Sequence, residues 1–389
     1  MSEIMNVWHF YARYYNFGDH ALAVGLRNLF LKYFSKQLIF KTFNVHQEIF
    51  DKNLVNRLNG TADLLLIGGG GLIHGSKDKW LLQIPDQLIE KIRVPIICYG
   101  LGYNVFPGEK GITKSIVRNI SLLQKKAVFF SVRNDGSKEK LLQFGIDAPE
   151  VPDPGFFVDC DYNAPPVKKP YTVIQLANDM KHNRGFNEDS LVIQITSIIK
   201  LLLEKNYSIV LAPHVRADIE LADRIRKNFG NSNDIFQWDF FDFLRDEKIY
   251  RGLSFYKYAD FVIAMRGHSQ IFSIAMAVPV ISLGSHYKNM ELLEKLNVPK
   301  MYIPVNKNEF AKEIINCVSQ IEKDRQEIQR KYMMVTSSLE KQAGDAIRSI
   351  VDDFQKKRRE HLLWLEQSKK GLKNRLHKKI KKLKSLFPD

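Results

Sequence analysis

The chain has 389 residues, 45% of them apolar and 26% charged, with a formal net charge of +15. That length exceeds one ordinary core and suits two domains, and the composition is globular. Three widely spaced cysteines, Cys98, Cys160 and Cys317, exclude a disulfide framework or a cysteine-built zinc site, and thirteen Lys/Arg against three Asp/Glu in residues 356–389 put +10 of the charge in the tail, which removes the case for a nucleic-acid-coating surface.

In chain order, Val7–Tyr11 reads as a strand and Asn16–Asp19 as a turn. Ala21–Phe34 reads as a helix with Leu22, Leu26, Leu29, Phe30 and Tyr33 on its apolar side. Asp63–Ile67 is a buried strand leading into the glycine run 68–71. Trp80–Ile92 has a helical pattern that Pro85 must either open or kink. Val94–Tyr99 is a strand ending in Gly100-Leu101-Gly102; Ser115–Gln124 is a helix, Ala127–Ser131 a strand and Ser137–Phe144 a helix. A proline-rich break runs from Val151 to Pro170.

A second alternating series follows. Its strands are Tyr171–Leu176, Ser208–Ala212, Ile235–Trp238, Asp260–Ala264, Pro279–Leu283 and Met301–Pro304. Its helices are Asp189–Glu204, Ile219–Asn228, Leu253–Tyr258, Gln270–Ala277 and Met290–Leu296. After Asn308 the pattern is only helical. Alternating strands and helices give an α/β protein with two Rossmann-like, doubly wound domains facing across a cleft. The expected divisions are 1–165, 166–335, a helical extension over 336–355 and a basic tail over 356–389.

Ligands of such sheets bind at the carboxyl ends of the strands. The central stretch there is Arg266-Gly267-His268, between a strand and a small-residue helix. Arg266 offers a planar fork for a carboxylate or phosphate, His268 a group able to exchange a proton near neutral pH, and the helix start free N–H groups. Arg133 is a second candidate anion clamp, with a salt bridge to Asp135 or Asp153 as the plainer explanation. His214, in Pro213-His214, is a candidate substrate contact, and Asp218 fits a helix start. Lys288 is a third candidate cation. Gly18 and Asp19 fit a capped turn after Asn16, with Asp19 as the cap. Gly69 and Gly70 lack the spacing and lysine of a phosphate-cradling loop and suit close backbone approach to a ligand or a neighbouring domain. Asp159-Cys160-Asp161 matches a three-residue metal-binding pattern, but it is short and lies beside the interdomain break; no metal and no cofactor are expected.

Met1–Asn6 lacks the basic start and apolar core of a signal peptide, and no apolar run reaches the roughly 18 residues that span a bilayer. A cytoplasmic protein is expected. Leu362, Leu365, Leu372, Leu376, Ile380, Leu383 and Phe387 recur as one stripe of a helix whose other faces are basic. That pattern suits contact with anionic lipid on the inner face of the membrane, with a partner helix or the protein's own surface as alternatives.

Asn16-x-Gly18-Asp19, the strand into Gly68-Gly69-Gly70, Arg133-x-x-x-Ser137, Asp153-Pro154, Pro213-His214, Arg266-x-His268 and Pro279 through Lys288 occur in that order. As an ordered set over about residues 6 to 290, the sequence resembles the polysaccharide pyruvyl transferase family. Asn134 stands where that family usually has aspartate, and Gly267 where it usually has leucine. The resemblance implies a glycosyltransferase-B-like fold and transfer of a pyruvyl group from phosphoenolpyruvate to a sugar, commonly as a cyclic ketal. The residues suit that chemistry: Arg133, Arg266 and Lys288 for the anion, His268 as acid and then base, with no step that needs a metal. A lipid-linked oligosaccharide acceptor would explain the tail. The alternatives are a nucleotide-sugar glycosyltransferase of the same architecture and a non-catalytic, membrane-associated assembly protein.

Overall fold

The computed structural model describes residues 4–386, apart from 14, 15, 36, 77, 78, 83, 106–110, 180–183, 245–247, 285–289, 291, 295, 298–300 and 308. Its strands are β1 (Met5–Tyr11), β2 (Leu38–Asn44), β3 (Leu64–Ile73), β4 (Gly75–Ser76), β5 (Lys79–Trp80), β6 (Ile96–Tyr103), β7 (Phe129–Arg133), β8 (Glu150–Val151), β9 (Tyr171–Gln175), β10 (Ser208–Leu211), β11 (Ile235–Gln237), β12 (Phe261–Ala264), β13 (Val280–Gly284) and β14 (Tyr302–Pro304). Its helices are α1 (Phe17–Tyr33), α2 (Lys52–Thr61), α3 (Asp86–Ile89), α4 (Lys114–Lys126), α5 (Ser137–Leu142), α6 (Glu188–Glu204), α7 (Arg216–Lys227), α8 (Phe240–Phe243), α9 (Ile249–Lys257), α10 (Gly267–Ala275), α11 (Phe310–Ser349) and α12 (Val351–Leu386).

The long strands form two parallel six-stranded sheets, ordered β2-β1-β3-β6-β7-β8 and β11-β10-β9-β12-β13-β14. The second is the Rossmann order, with its reversal between β9 and β12. The first reverses between β1 and β3. Strands such as Leu64-Leu65-Leu66-Ile67 and Phe261-Val262-Ile263-Ala264 are buried throughout, as expected of parallel strands covered on both faces. The two doubly wound sheets expected from the sequence are therefore present.

Several local expectations change. The glycine run is not a loop after β3: the strand continues through it to Ile73. Gly68 has φ +133° and Gly70 has φ +106°, backbone that other residues resist. A Cβ on Gly68 would lie 2.2 Å from the Tyr99 carbonyl oxygen, so the run serves strand and helix packing inside the first unit. Gly100-Leu101-Gly102 likewise lies inside β6. Pro85 opens a short helix at Asp86, and Trp80 belongs to the small β4–β5 ribbon. Strand β2 alternates partly buried and exposed residues at a sheet edge, so it lacks the continuous apolar run of its neighbours.

The two units share a core. Phe17, Ala21 and Val24 of α1, with Phe156 and Val158, belong to the apolar cluster of the second sheet. The Phe17 ring packs on His214, Trp238 and Phe272. Helix α11 kinks at Asp324 and crosses back: Val318, Ile321 and Ile328 pack with the second unit, Ala343 and Ile347 with the first. Helix α12 continues onto the first unit, where Phe354 meets Phe34 edge-on at 4.6 Å. Arg358 makes a two-pronged contact with Asp63 at 3.1 and 3.0 Å. The start of the basic tail thus docks on the protein's own surface through Arg358 and His361, the alternative given above to lipid contact, while Lys356, Lys357, Arg359 and Glu360 stay exposed. Helix α12 runs on to Leu386, though the side chains of residues 375–386 lie outside the described set.

Candidate active site

The loops at both reversal points meet in one cavity of about 330 Å³. From the first unit come Asn16 and Asp19 at the start of α1, Gly71 of β3, and Arg133 at the end of β7. From the second come Asp179 after β9, and Arg266, Gly267 and His268 after β12.

Asn16, not Asp19, caps α1: its side-chain oxygen accepts the Gly18 N–H at 2.8 Å. Asp19, in the first turn, is left to face the cavity. Its Oδ1 lies 3.7 Å from Nδ1 of His268. Gly70 is at the back of this carboxyl, where a Cβ would come within 3.3 Å of Oδ1; Gly69 packs against Leu22 and Pro154. Neither glycine lines the cavity, so their expected contact with a ligand gives way to helix packing; Gly71 is the one of the run that reaches it.

His268 sits in the first turn of α10 and bridges the units. Its Nε2 is 3.2 Å from Nη1 of Arg133. A guanidinium only donates, so Nε2 accepts and the proton of the neutral ring belongs on Nδ1, toward Asp19. Burial, with Arg133 and Arg266 adding to it, pulls the imidazole down from 6.5 to about 4, against the opposing effect of Asp19 and Asp135. The ring is therefore neutral at pH 7 in the cavity without substrate. Burial also pushes the Asp19 carboxyl above its usual range, although His268 and Arg133 work against the rise.

The arginines are not bare clamps. Arg133 donates to Asp135 at 2.7 Å and to Asp153 at 3.1 Å, so both of its candidate salt bridges form. Gly102 gives it room: a Cβ there would be 2.5 Å from its Nε. Arg266 is held by Asp218 through Nε and Nη2 at 2.9 and 2.6 Å, and by Asp179 at 2.7 Å. Asp218 thus takes the Nε–Nη2 edge of the fork, while Arg266 remains part of the cavity wall. Burial tends to raise Asp179, but Arg266 and Arg184 outweigh it and hold that carboxyl below its usual range. Asp218 does lie in the first turn of α7, and there it also accepts the backbone N–H groups of Asn178, His214 and Val215.

His214 is fully buried and does not line the cavity, which corrects its expected contact with substrate. Its ring bonds the Tyr256 hydroxyl at 2.6 Å and stacks on Trp238. Its carbonyl accepts the Phe17 N–H at 2.9 Å, which ties the start of α1 to the second unit. Lys288 lies outside the described residues. Sequence reasoning missed Asp179, Arg184, Asn104, His46 and His74 of the cavity wall. Asn178-Asp179 follows a recognised strand end and was open to the same strand-end argument; His46 follows β2, which has no strong strand pattern.

The sequence model of the family described as polysaccharide pyruvyl transferase matches residues 16–287. The chain belongs to the polysaccharide pyruvyl transferase family. The match runs from the cap of α1 past α10 and so spans both halves of the cavity. Among solved structures, this family member is similar to a putative UDP-N-acetylglucosamine 2-epimerase from Listeria monocytogenes, at 14% identity and TM-score 0.53 over 86% of this chain and 91% of that one. A UDP-GlcNAc 2-epimerase from Neisseria meningitidis bound to UDP-GlcNAc is similar at 11% identity and TM-score 0.52, over 87% and 100%. The trehalose-6-phosphate synthase OtsA is similar at 9% and TM-score 0.53, over 90% and 99%. These likenesses show the glycosyltransferase-B-like fold expected for the transferase family. No curated protein matches the chain.

Proposed function

We propose that this pyruvyl transferase takes its pyruvyl group from phosphoenolpyruvate and places it, as a cyclic ketal, on a sugar of a polysaccharide or lipid-linked oligosaccharide precursor. The observation that carries the reading is the meeting of Arg133 and His268 at 3.2 Å, from opposite units, inside the stretch matched by the family. Phosphoenolpyruvate brings a carboxylate and a phosphate. Arg133, Arg184 and Arg266 line the cavity beside the N-terminus of α10, and Lys288 is proposed to add a further cation. Asn16 and Asp19 line the opposite wall. His268 enters neutral and serves as the base for a sugar hydroxyl. No cofactor is proposed.

The acceptor's lipid anchor gives the basic end of the chain a role. No helix among the described residues is long and apolar enough to cross a membrane. We place the enzyme on the inner face of the cytoplasmic membrane, held against anionic lipid by the basic tail of residues 356–389, beyond the docked His361. The test is phosphate release from phosphoenolpyruvate in the presence of extracted glycolipids. Release with wild-type protein and none with His268→Ala supports the reading. Binding of a nucleotide sugar, with no response to phosphoenolpyruvate, would replace it with the glycosyltransferase alternative.

A further inference from the structure

Ketal formation needs a proton delivered to carbon before any hydroxyl proton is removed. Nε2 of His268 accepts from Arg133 and Nδ1 faces Asp19, so the proton for carbon calls for a second group in the cavity. We propose that the Asp19 carboxyl is this group and donates the proton to the methylene carbon of phosphoenolpyruvate. The assignment rests on the phosphoenolpyruvate reading of the site.

Three observations select Asp19. It lines the same cavity as His268, with Oδ1 3.7 Å from Nδ1. Its side chain is 19% exposed, so it reaches the cavity without lying in bulk water. The other cavity carboxylates are tied down: Asp135 and Asp153 accept from Arg133, and Asp179 accepts from Arg184 and Arg266. Among the described residues, Asp19 has no arginine or lysine within ion-pair distance.

Charge supports the choice. Four aspartates line the cavity against three arginines, so an arriving anion meets no surplus of positive charge among the described residues. Uptake of a proton by a carboxyl that no arginine or lysine among the described residues holds relieves that deficit. Burial already favours the protonated form of Asp19, and the substrate's own negative charge pushes in the same direction. The start of α1 acts in the opposite direction, favouring the carboxylate. The group that has to be neutral for the anion to bind is thereby loaded for the first step.

The steps balance. The proton passes from Asp19 to the methylene carbon, whose double-bond electron pair forms the new C–H bond. Positive charge develops on the adjacent carbon. The first sugar hydroxyl bonds there and its proton goes to His268. Phosphate leaves with the electrons of its C–O bond and takes that proton from His268. The second hydroxyl then bonds to the same carbon, and its proton returns to Asp19. Both side chains end as they began, with one proton gained by the new methyl group and one by phosphate.

The test compares full-length wild type with Asp19→Asn, which keeps the shape and can still accept the Nδ1 proton of His268. Two readouts are followed: the shift in melting temperature with phosphoenolpyruvate, and phosphate release with extracted glycolipid. The proposal expects the shift to persist and release to fall by about 10²- to 10⁴-fold, the range of a general acid. Asp19→Glu should recover part of the loss. Release at the wild-type rate in Asp19→Asn overturns the proposal, because a residue that only orients the ring is replaced well by asparagine. Loss of the shift together with the turnover also overturns it, since Asp19 would then act in binding. If the wild type shows no shift with phosphoenolpyruvate, the reading of the site fails first, and this assignment with it.

Discussion

A Cβ on Gly18 would lie 2.4 Å from Nδ1 of His268. The two residues belong to different units, so this one missing methyl sets how closely imidazole and carboxyl can be brought together. Gly18→Ala forces the ring to move, while alanine suits the first turn of a helix. The Cβ would also lie 2.8 Å from Cβ and Cγ of His268, so the expected result is a stability loss of about 1–3 kcal/mol together with a loss of about 10²-fold in phosphate release by the protein that remains folded. Wild-type release per folded molecule would mean that the contact is only structural.

Arg266 gives the opposite split. Asp218 is buried with its carboxylate on the Arg266 fork, and three backbone N–H groups hang on the same carboxylate. Arg266→Ala leaves a buried charge without its partner and should cost about 3–5 kcal/mol. Thermal or urea unfolding measures it. An unchanged melting temperature would return Arg266 to the role of an open substrate clamp.

The pH dependence of stability follows from the His268 ring, lowered in the folded chain from 6.5 to about 4. A lowered histidine contributes stability that is complete above 6.5 and is lost as pH falls toward 4, where the unfolded chain binds the proton first. Asp19 and Asp153, raised by burial, act in the reverse sense, and Arg133, Arg266 and Asp135 also face the ring. The clean comparison is therefore wild type against His268→Gln. The difference in unfolding free energy should shrink by up to about 3 kcal/mol between pH 7 and 4. A difference independent of pH contradicts a buried, neutral ring.

The end of α12 carries its own prediction. Phe354, Arg358 and His361 are buried on the first unit, so removal of residues 369–389 should leave the melting temperature unchanged. Sedimentation with vesicles containing anionic lipid should fall to background. Retained binding would place the lipid contact elsewhere.

The architecture was legible because parallel strands leave buried apolar runs; β9, β10, β12 and β13 of the second sheet are buried at every position. Strand β2 was not legible, because its alternating residues lie at an edge. In the site, strand-end logic found Arg133, Arg266, His268 and Asp19 and named both carboxylates that hold Arg133, but it could not assign the partners of Arg266. Arg266 is held by Asp218 of α7 and by Gln175 at the end of β9, whose side chain accepts the Arg266 backbone N–H at 2.8 Å. Those two partners are far apart in sequence, and only the folded sheet brings them together. His214 looked like a substrate contact because it follows a strand; the ring turns inward, to Tyr256 and Trp238, for reasons set by packing.

The most direct test of pyruvyl transfer is mass spectrometry of the glycolipid acceptor after incubation with phosphoenolpyruvate and the wild-type protein. The account predicts a gain of one pyruvate less one water, matched mole for mole by released phosphate and absent with His268→Ala. An unchanged acceptor mass, with no phosphate released, would contradict it.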